Sequence, residues 1–235
     1  MTSKTKKVAI LQTNYIPWKG YFDLINLVDE FILYDEVQYT RRDWRNRNII
    51  KTQAGPKWLT IPIDVKGKYT QSINEAVVAN NLWTDKHWKL LIHAYSKAKC
   101  FKQYSKYFAN LYEQCSRETY LSKINFIFIN KICEILNITT KMTWSTDYVV
   151  VAADKTDRLV KLCQAAKATH YLSGPSAKAY IDDSLFTNAG IKLEYMGYSD
   201  YPVYSQLHGE FIHQVSILDL LYNQGENTPK FMKSF

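Results

Sequence analysis

No stretch of this 235-residue chain approaches the roughly 20 apolar residues that a membrane-spanning helix needs, so no span is expected. The basic N-terminus, MTSKTKK, runs directly into KVAILQ without a small-residue cleavage site, which reads as a short solvated tail and not a signal peptide. The four cysteines, Cys100, Cys115, Cys133 and Cys163, form no C-x-x-C pair and fall in sequence that reads as helix or helix end. Reduced core thiols are expected, and with them a cytoplasmic location. The five histidines make no HxH or HExxH pattern, so no metal site is indicated, and no cofactor is assigned. Low-complexity linkers and internal repeats are absent too. Nor does any Ser-His-Asp or Cys-His signature argue for a covalent intermediate.

What is present begins with a net charge of +8, which points to an anionic partner. Much of the excess is lysine spread through helical sequence (97, 99, 102, 106, 123 and 131), the pattern of a solvated surface. The local exception is YDEVQYTRRDWRNRNII (34–50), which gathers Arg41, Arg42, Arg45 and Arg47 around Trp44, Asn46 and Asn48. Because the arginines share one short segment and form no stripe, a nucleic-acid-binding module ranks below a small-molecule site.

The chain reads as α/β, a parallel sheet with flanking helices. VAILQ (8–12) is a short apolar run expected to be a buried strand. TNYIPWKG (13–20) is a loop, YFDLINLVD (21–29) carries Phe22, Ile25 and Val28 at helical spacing, and FILYD (31–35) is a second strand. Strand, loop, helix and strand in about thirty residues is the signature of a βαβ unit. KWLTIPI (57–63) and INEAVV (73–78) are expected to be further strands, the first at an edge because of Pro62. Residues 84–137 read as a helical segment inserted within a single domain of 235 residues, with the last helix apolar on most of its circumference. A second alternating passage follows. Asp154 and Asp157 open a helix with a near capping box, THYLSG (169–174) and IKLEYMGY (191–198) read as strands, and the final helix runs from Ser216 to Gly225 with Pro229 beyond.

LQTNYIPWKGYF, YDEVQYTRRDWRNRN, WLTIPI, YLSGPSAKAYI, and YPVYSQ with VSILDLLYNQG together resemble the WbqC-like family of bacterial proteins, colinear over nearly all of residues 7–226. Thr13 stands where the family pattern has proline. The resemblance implies a place in O-antigen (lipopolysaccharide) or other surface-polysaccharide biosynthesis more firmly than it implies a reaction. The first strand, proline loop, Gly20 and helix are also similar in layout to the nucleotidylyltransferase superfamily. There a histidine pair stands over the nucleotide, whereas this chain has Trp18 and Tyr21.

In a parallel sheet, ligands sit beyond the carboxyl ends of strands, so the loop after the first strand is a candidate site. Gln12 and Asn14 offer neutral hydrogen bonds, Tyr15 and Trp18 offer flat faces, and Gly20 permits close approach. In the arginine segment, Arg45 and Arg47 are expected to grip an anion bidentately, with Arg41 or Arg42 solvated or paired to Asp43, and Trp44 and Asn46 alongside. Alternation would put Arg41, Asp43, Arg45 and Arg47 on one side if the segment is extended. Asp35 and Gln38 are candidates for a general base or polar catalytic group, and His208 for an acid or base. Ser173, Gly174, Ser176 and Lys178 could hold a phosphate at a helix start, though not as a Walker A loop. Tyr204 and Gln206 complete the candidate binding set.

The expected ligand is a phosphorylated or nucleotide-linked small molecule, and the expected activity is acyl or aminoacyl transfer onto a nucleotide-linked amino sugar. The alternative is a nucleotidylyltransferase-like enzyme that activates a carboxylate or phosphate with ATP.

Overall fold

A computed structural model describes residues 5–235 of the chain; the first four residues of the basic tail lie outside the described residues. The chain opens as expected. β1 (Lys7–Leu11) leads through a loop into α1 (Lys19–Asn26) and then β2 (Glu30–Leu33), which pairs in parallel with β1. An antiparallel hairpin follows, β3 (Arg47–Thr52) and β4 (Gly55–Thr60), closed by Gly55 at φ 101°. Three helices come next: α2 (Leu82–Tyr95), α3 (Phe101–Cys115) and α4 (Leu121–Ile135). The chain then re-enters the sheet with β5 (Lys141–Trp144), α5 (Lys155–Ala165) and β6 (His170–Ser173). It ends with α6 (Asp183–Asn188), β7 (Lys192–Tyr195) and α7 (Ile217–Gln224).

The five sheet strands lie in the order β5-β2-β1-β6-β7, every pairing parallel, with the hairpin outside the sheet. The chain builds outward from β1 on one side, through β2 to β5, then returns to β1's other side with β6. This Rossmann-like order puts the topological switch point between β1 and β6. β1 meets β2 over four partners, up to Leu11 and Leu33, but meets β6 only at Lys7↔His170 and Val8↔Tyr171. The ladder between the two central strands therefore stops at Val8 and Tyr171, short of their carboxyl ends, where a ligand crevice belongs.

Alternation along β1 and β2 sends apolar side chains to both faces. Val8, Ile10 and Ile32 pack on α5 and α6 through Leu159, Leu162, Cys163 and Phe186. Ala9, Phe31 and Leu33 join the larger core built with α1 to α4 and α7. A parallel sheet covered on both faces follows directly from such two-sided apolar strands.

Several local signals act as read. Asp154 caps α5 by accepting from Asp157 N–H at 2.9 Å, while Asp157 accepts from Ala153 N–H at 2.7 Å. Gly225 ends α7 at φ 57°. The cysteines are free thiols, and burial pushes Cys115, Cys133 and Cys163 up to about 12, so they are inert core groups.

Other signals were overridden. INEAVV forms no strand, because Glu75 bonds back to Ser72 N–H at 2.9 Å and turns the backbone at Asn74 and Glu75. Only isolated bridges remain there, Ile63↔Val78 and Val77↔Tyr120. RNIIKT (47–52), the end of the arginine segment and not read as a strand from sequence, is β3, since its inward polar side chain, Asn48, is consumed by the neighbouring loop. Among the described residues no helix is long and apolar enough to cross a membrane, and no cluster of metal-ligating side chains occurs.

Candidate functional site

The loop after β1 is held in an unusual shape. Ile16 has φ +36°, a left-handed conformation that costs a β-branched residue energy, and it is followed by Pro17. Asn48, buried at the start of β3, offsets that cost by donating to Tyr15 O at 3.0 Å and Ile16 O at 2.9 Å. Its own Oδ1 accepts from Ile49 N–H at 2.8 Å. The loop is also stitched to the arginine segment, since Tyr15 N–H donates to Trp44 O at 3.0 Å. The two segments thus lie side by side.

Behind them is a buried polar network. Asp35, 1% exposed, accepts from Thr13 N–H at 2.8 Å, from Thr13 Oγ1 at 2.7 Å and from Ser122 Oγ on α4. Burial raises its pKa, although the hydrogen bonds from Ser122 and Thr13 and the charge of Arg45 pull the other way. Asn125, one turn on from Ser122, donates to Thr13 Oγ1 at 3.0 Å and Arg45 O at 2.8 Å. Thr13 accordingly has a bonding role that proline at this position would lose.

The arginines separate. Residues 41–46 form turns, because Asp43 accepts from Thr40 Oγ1 and Trp44 N–H, each at 2.7 Å, and its carbonyl from Asn46 N–H at 3.2 Å. The alternation expected of an extended segment therefore does not apply. Arg41 and Arg42 are exposed, Arg41 donating to Val65 O at 3.2 Å. Arg45 donates to Asn14 Oδ1 and, at 3.3 Å, to Gln12 Oε1, with Asp43 at 3.8 Å. Arg47 points elsewhere, its guanidinium 4.0 Å from the centroid of the Trp58 ring. Asn46 is buried and donates to Ile61 O at 2.9 Å.

A pocket of about 640 Å³ opens where these pieces meet, lined by Asn14, Pro17, Trp18, Trp44, Asn48, Ser176, Tyr198, Ser199, Asp200, Tyr201, His213 and Gln214. It draws on the loops after β1, β6 and β7, as a switch-point crevice should. Trp18 packs edge-on against Tyr198 at 5.1 Å and Tyr201 at 5.4 Å. Gly20 makes room for this indole, since a Cβ there would lie 2.4 Å from a Trp18 ring carbon. Below the ring, buried Lys19 donates to Pro202 O at 3.0 Å and lies 4.8 Å from the centroid of the Tyr201 ring; desolvation lowers its pKa to about 8. The pKa of His213 is lowered by burial and by the charge of Lys19.

Of the residues singled out by sequence, Asn14, Trp18, Trp44 and Ser176 line the pocket, and Gln12, Gly20 and Arg45 support them. Tyr15 is fully buried, its hydroxyl 2.9 Å from His87 Nδ1 and 2.8 Å from the Tyr112 hydroxyl. Gln38 is exposed and donates to Tyr69 O at 2.9 Å. Ser173 is buried, Gly174 precedes a short 3-10 turn, and exposed Lys178 lies 5.0 Å from the centroid of the Tyr195 ring.

Tyr204, Gln206 and His208 belong to another network. Tyr204 donates to buried Asp219 at 2.9 Å, Gln206 accepts from buried Lys51 at 2.7 Å, and His208 Nε2 is 2.8 Å from Ala94 O. The sequence reading missed Lys19, Asn48, Tyr198, Ser199, Asp200, Tyr201, His213 and Gln214. A cue existed for two of them: Tyr201 opens the YPVYSQ motif and Asp200 immediately precedes it.

Residues 12–231 match the profile of the WbqC-like protein family. The chain belongs to that family. A relative, the uncharacterized protein Rv1507c of Mycobacterium tuberculosis, is 47% identical over 228 residues, covering 97% of this chain and 98% of that protein. No solved structure matches, and the likeness to the nucleotidylyltransferase superfamily is not shown by these comparisons.

Proposed function

We propose that the switch-point pocket binds a phosphorylated or nucleotide-linked amino sugar, and that this WbqC-like protein transfers an acyl or aminoacyl group onto it in the cytoplasm during surface-polysaccharide biosynthesis. The pathway is the one the family resemblance implies. The observation that carries the ligand class is the lining: the aromatic side chains of Trp18, Trp44, Tyr198 and Tyr201, interleaved with the neutral polar Asn14, Asn48, Ser176 and Ser199. Flat apolar faces with a few fixed hydrogen-bonding groups suit a sugar ring. Arg45 stands beside Asn14 with donors to spare, supplying positive potential for a phosphate.

Asp200 and His213 are the ionisable side chains of the lining. His213, its pKa lowered by burial and Lys19, favours the neutral imidazole and can take the proton of the sugar amine or hydroxyl as it attacks the acyl carbon. As it does so, the bond from that carbon to the donor's carrier breaks and the carrier leaves with the electron pair. Asp35 serves that reading as a positioning group, because both its oxygens are occupied by Thr13 and Ser122. With no covalent intermediate in the scheme, positioning and electrostatics supply the rate.

Calorimetric titration with sugar nucleotides, sugar 1-phosphates and ATP with magnesium tests the ligand class. Binding of the first two is expected. Arg45→Ala should weaken it by about 1.5–3 kcal/mol, the range for a hydrogen bond to a charged group. Binding of ATP with magnesium alone, or unchanged affinity in Arg45→Ala, would overturn the reading.

A further inference from the structure

The hairpin carries a flat surface that the pocket does not use. Along β3 and β4, Asn48, Ile50 and Leu59 point into the protein, so Arg47, Ile49 and Trp58 share the outer face. Trp58 is 40% exposed and packs against Trp44, also 40% exposed, at 5.3 Å between centroids and a tilt of 42°. Trp44 lines the pocket as well, so the indole pair adjoins the pocket wall through that ring. Arg47 adds a third planar group, its guanidinium 4.0 Å from the centroid of the Trp58 ring.

Arg47 is the telling member. Among the described residues it makes no ion pair with a carboxylate, and its Nε is buried without a hydrogen-bond partner. Its side-chain contact is with the Trp58 ring, which leaves an uncompensated cation beside the exposed indole pair. An exposed pair of indoles accepts a planar ring whatever its substituents, and an unpaired guanidinium complements phosphate.

From this juxtaposition we infer that Trp44, Trp58 and Arg47 form a second subsite that takes the nucleoside end of a sugar nucleotide. The base stacks on the part of the indole pair that the Arg47 guanidinium leaves open, Arg47 meets the phosphate next to it, and the sugar occupies the pocket beyond Trp44. The inference rests on the pocket reading above and narrows its ligand from any phosphorylated sugar to a nucleotide-linked one.

Calorimetry on matched pairs separates the two: UDP-N-acetylglucosamine, dTDP-glucose and GDP-mannose against their sugar 1-phosphates. For whichever pair the wild type binds, Trp58→Thr, which keeps a strand-forming residue, should weaken the sugar nucleotide about 5- to 150-fold, the range for one stacked base. The sugar 1-phosphate should change less than about twofold, and Trp58→Tyr should restore most of the loss. Equal loss for both ligands, or loss for neither, overturns the subsite and leaves the pocket reading standing. A wild type that binds neither ligand class overturns both.

Discussion

Gly20→Ala tests whether the pocket's central indole is held by the geometry described. A Cβ on residue 20 would lie 2.4 Å from Trp18 Cζ2 and 2.8 Å from Cε2 and Cη2. Ordinary carbon contact is about 3.5–4.0 Å, so the ring must retreat by roughly an ångström or more. It cannot do so freely, because it is packed edge-on against Tyr198 and Tyr201. Each such aromatic pair contributes about 0.5–1.5 kcal/mol, so losing both costs about 1–3 kcal/mol. Against this, alanine is favoured over glycine in a helix by up to about 1 kcal/mol, and Gly20 is the second residue of α1. The net loss with Trp18 present is therefore about 0–3 kcal/mol. With Trp18→Ala in the background the clash is gone, and Gly20→Ala should become stabilising by up to about 1 kcal/mol. Urea denaturation of the wild type, both single variants and the double variant measures this cycle. A coupling of about 1–3 kcal/mol and a change of sign are expected. Additivity to within about 0.5 kcal/mol would refute the packing argument.

Asn48→Ala should cost about 2–4 kcal/mol in denaturant melts, because it strips the donors from two buried carbonyls at the strained Ile16 turn. Asn48→Asp should be no better, since a carboxylate cannot donate to them; a stable aspartate variant would disprove the role. His87 supplies a pH test. Burial lowers its pKa from 6.5 to about 4, so as pH falls through 6.5 the unfolded chain takes up a proton that the folded one refuses. Stability contributed above pH 6.5 is therefore lost progressively down to about pH 4. Between pH 7 and 4.5 this group's share is about 2–3 kcal/mol, and His87→Gln should flatten the stability-against-pH curve by that amount. An unchanged slope would show that His87 titrates normally.

The architecture was legible because it depends on local patterns. Apolar runs gave β1 and β2, helical spacing gave α1 to α4, and the Asp154 cap and Gly225 stop marked their helices from sequence alone. The first motif and the arginine motif were also recognisable as neighbours, since both follow central strands. Their internal geometry was not. Whether Arg45 meets Asn14 while Arg47 meets Trp58 depends on Asp43 turning the segment and on the hairpin closing, and periodicity reports neither.

The Thr13–Asn125 bond joins residues 112 apart, and the Asp35–Ser122 bond joins residues 87 apart. Such contacts leave no local trace, because a serine or asparagine on a buried helix face looks like any interrupted apolar pattern. His213 was passed over for the same reason: as a lone histidine it carries no signal until the strand order brings the segment before α7 against the loop after β1. Sequence determined which residues are apolar, capped or turned, and hence which elements form. Tertiary structure alone decided which polar side chains meet, because their partners are chosen by strand order and packing.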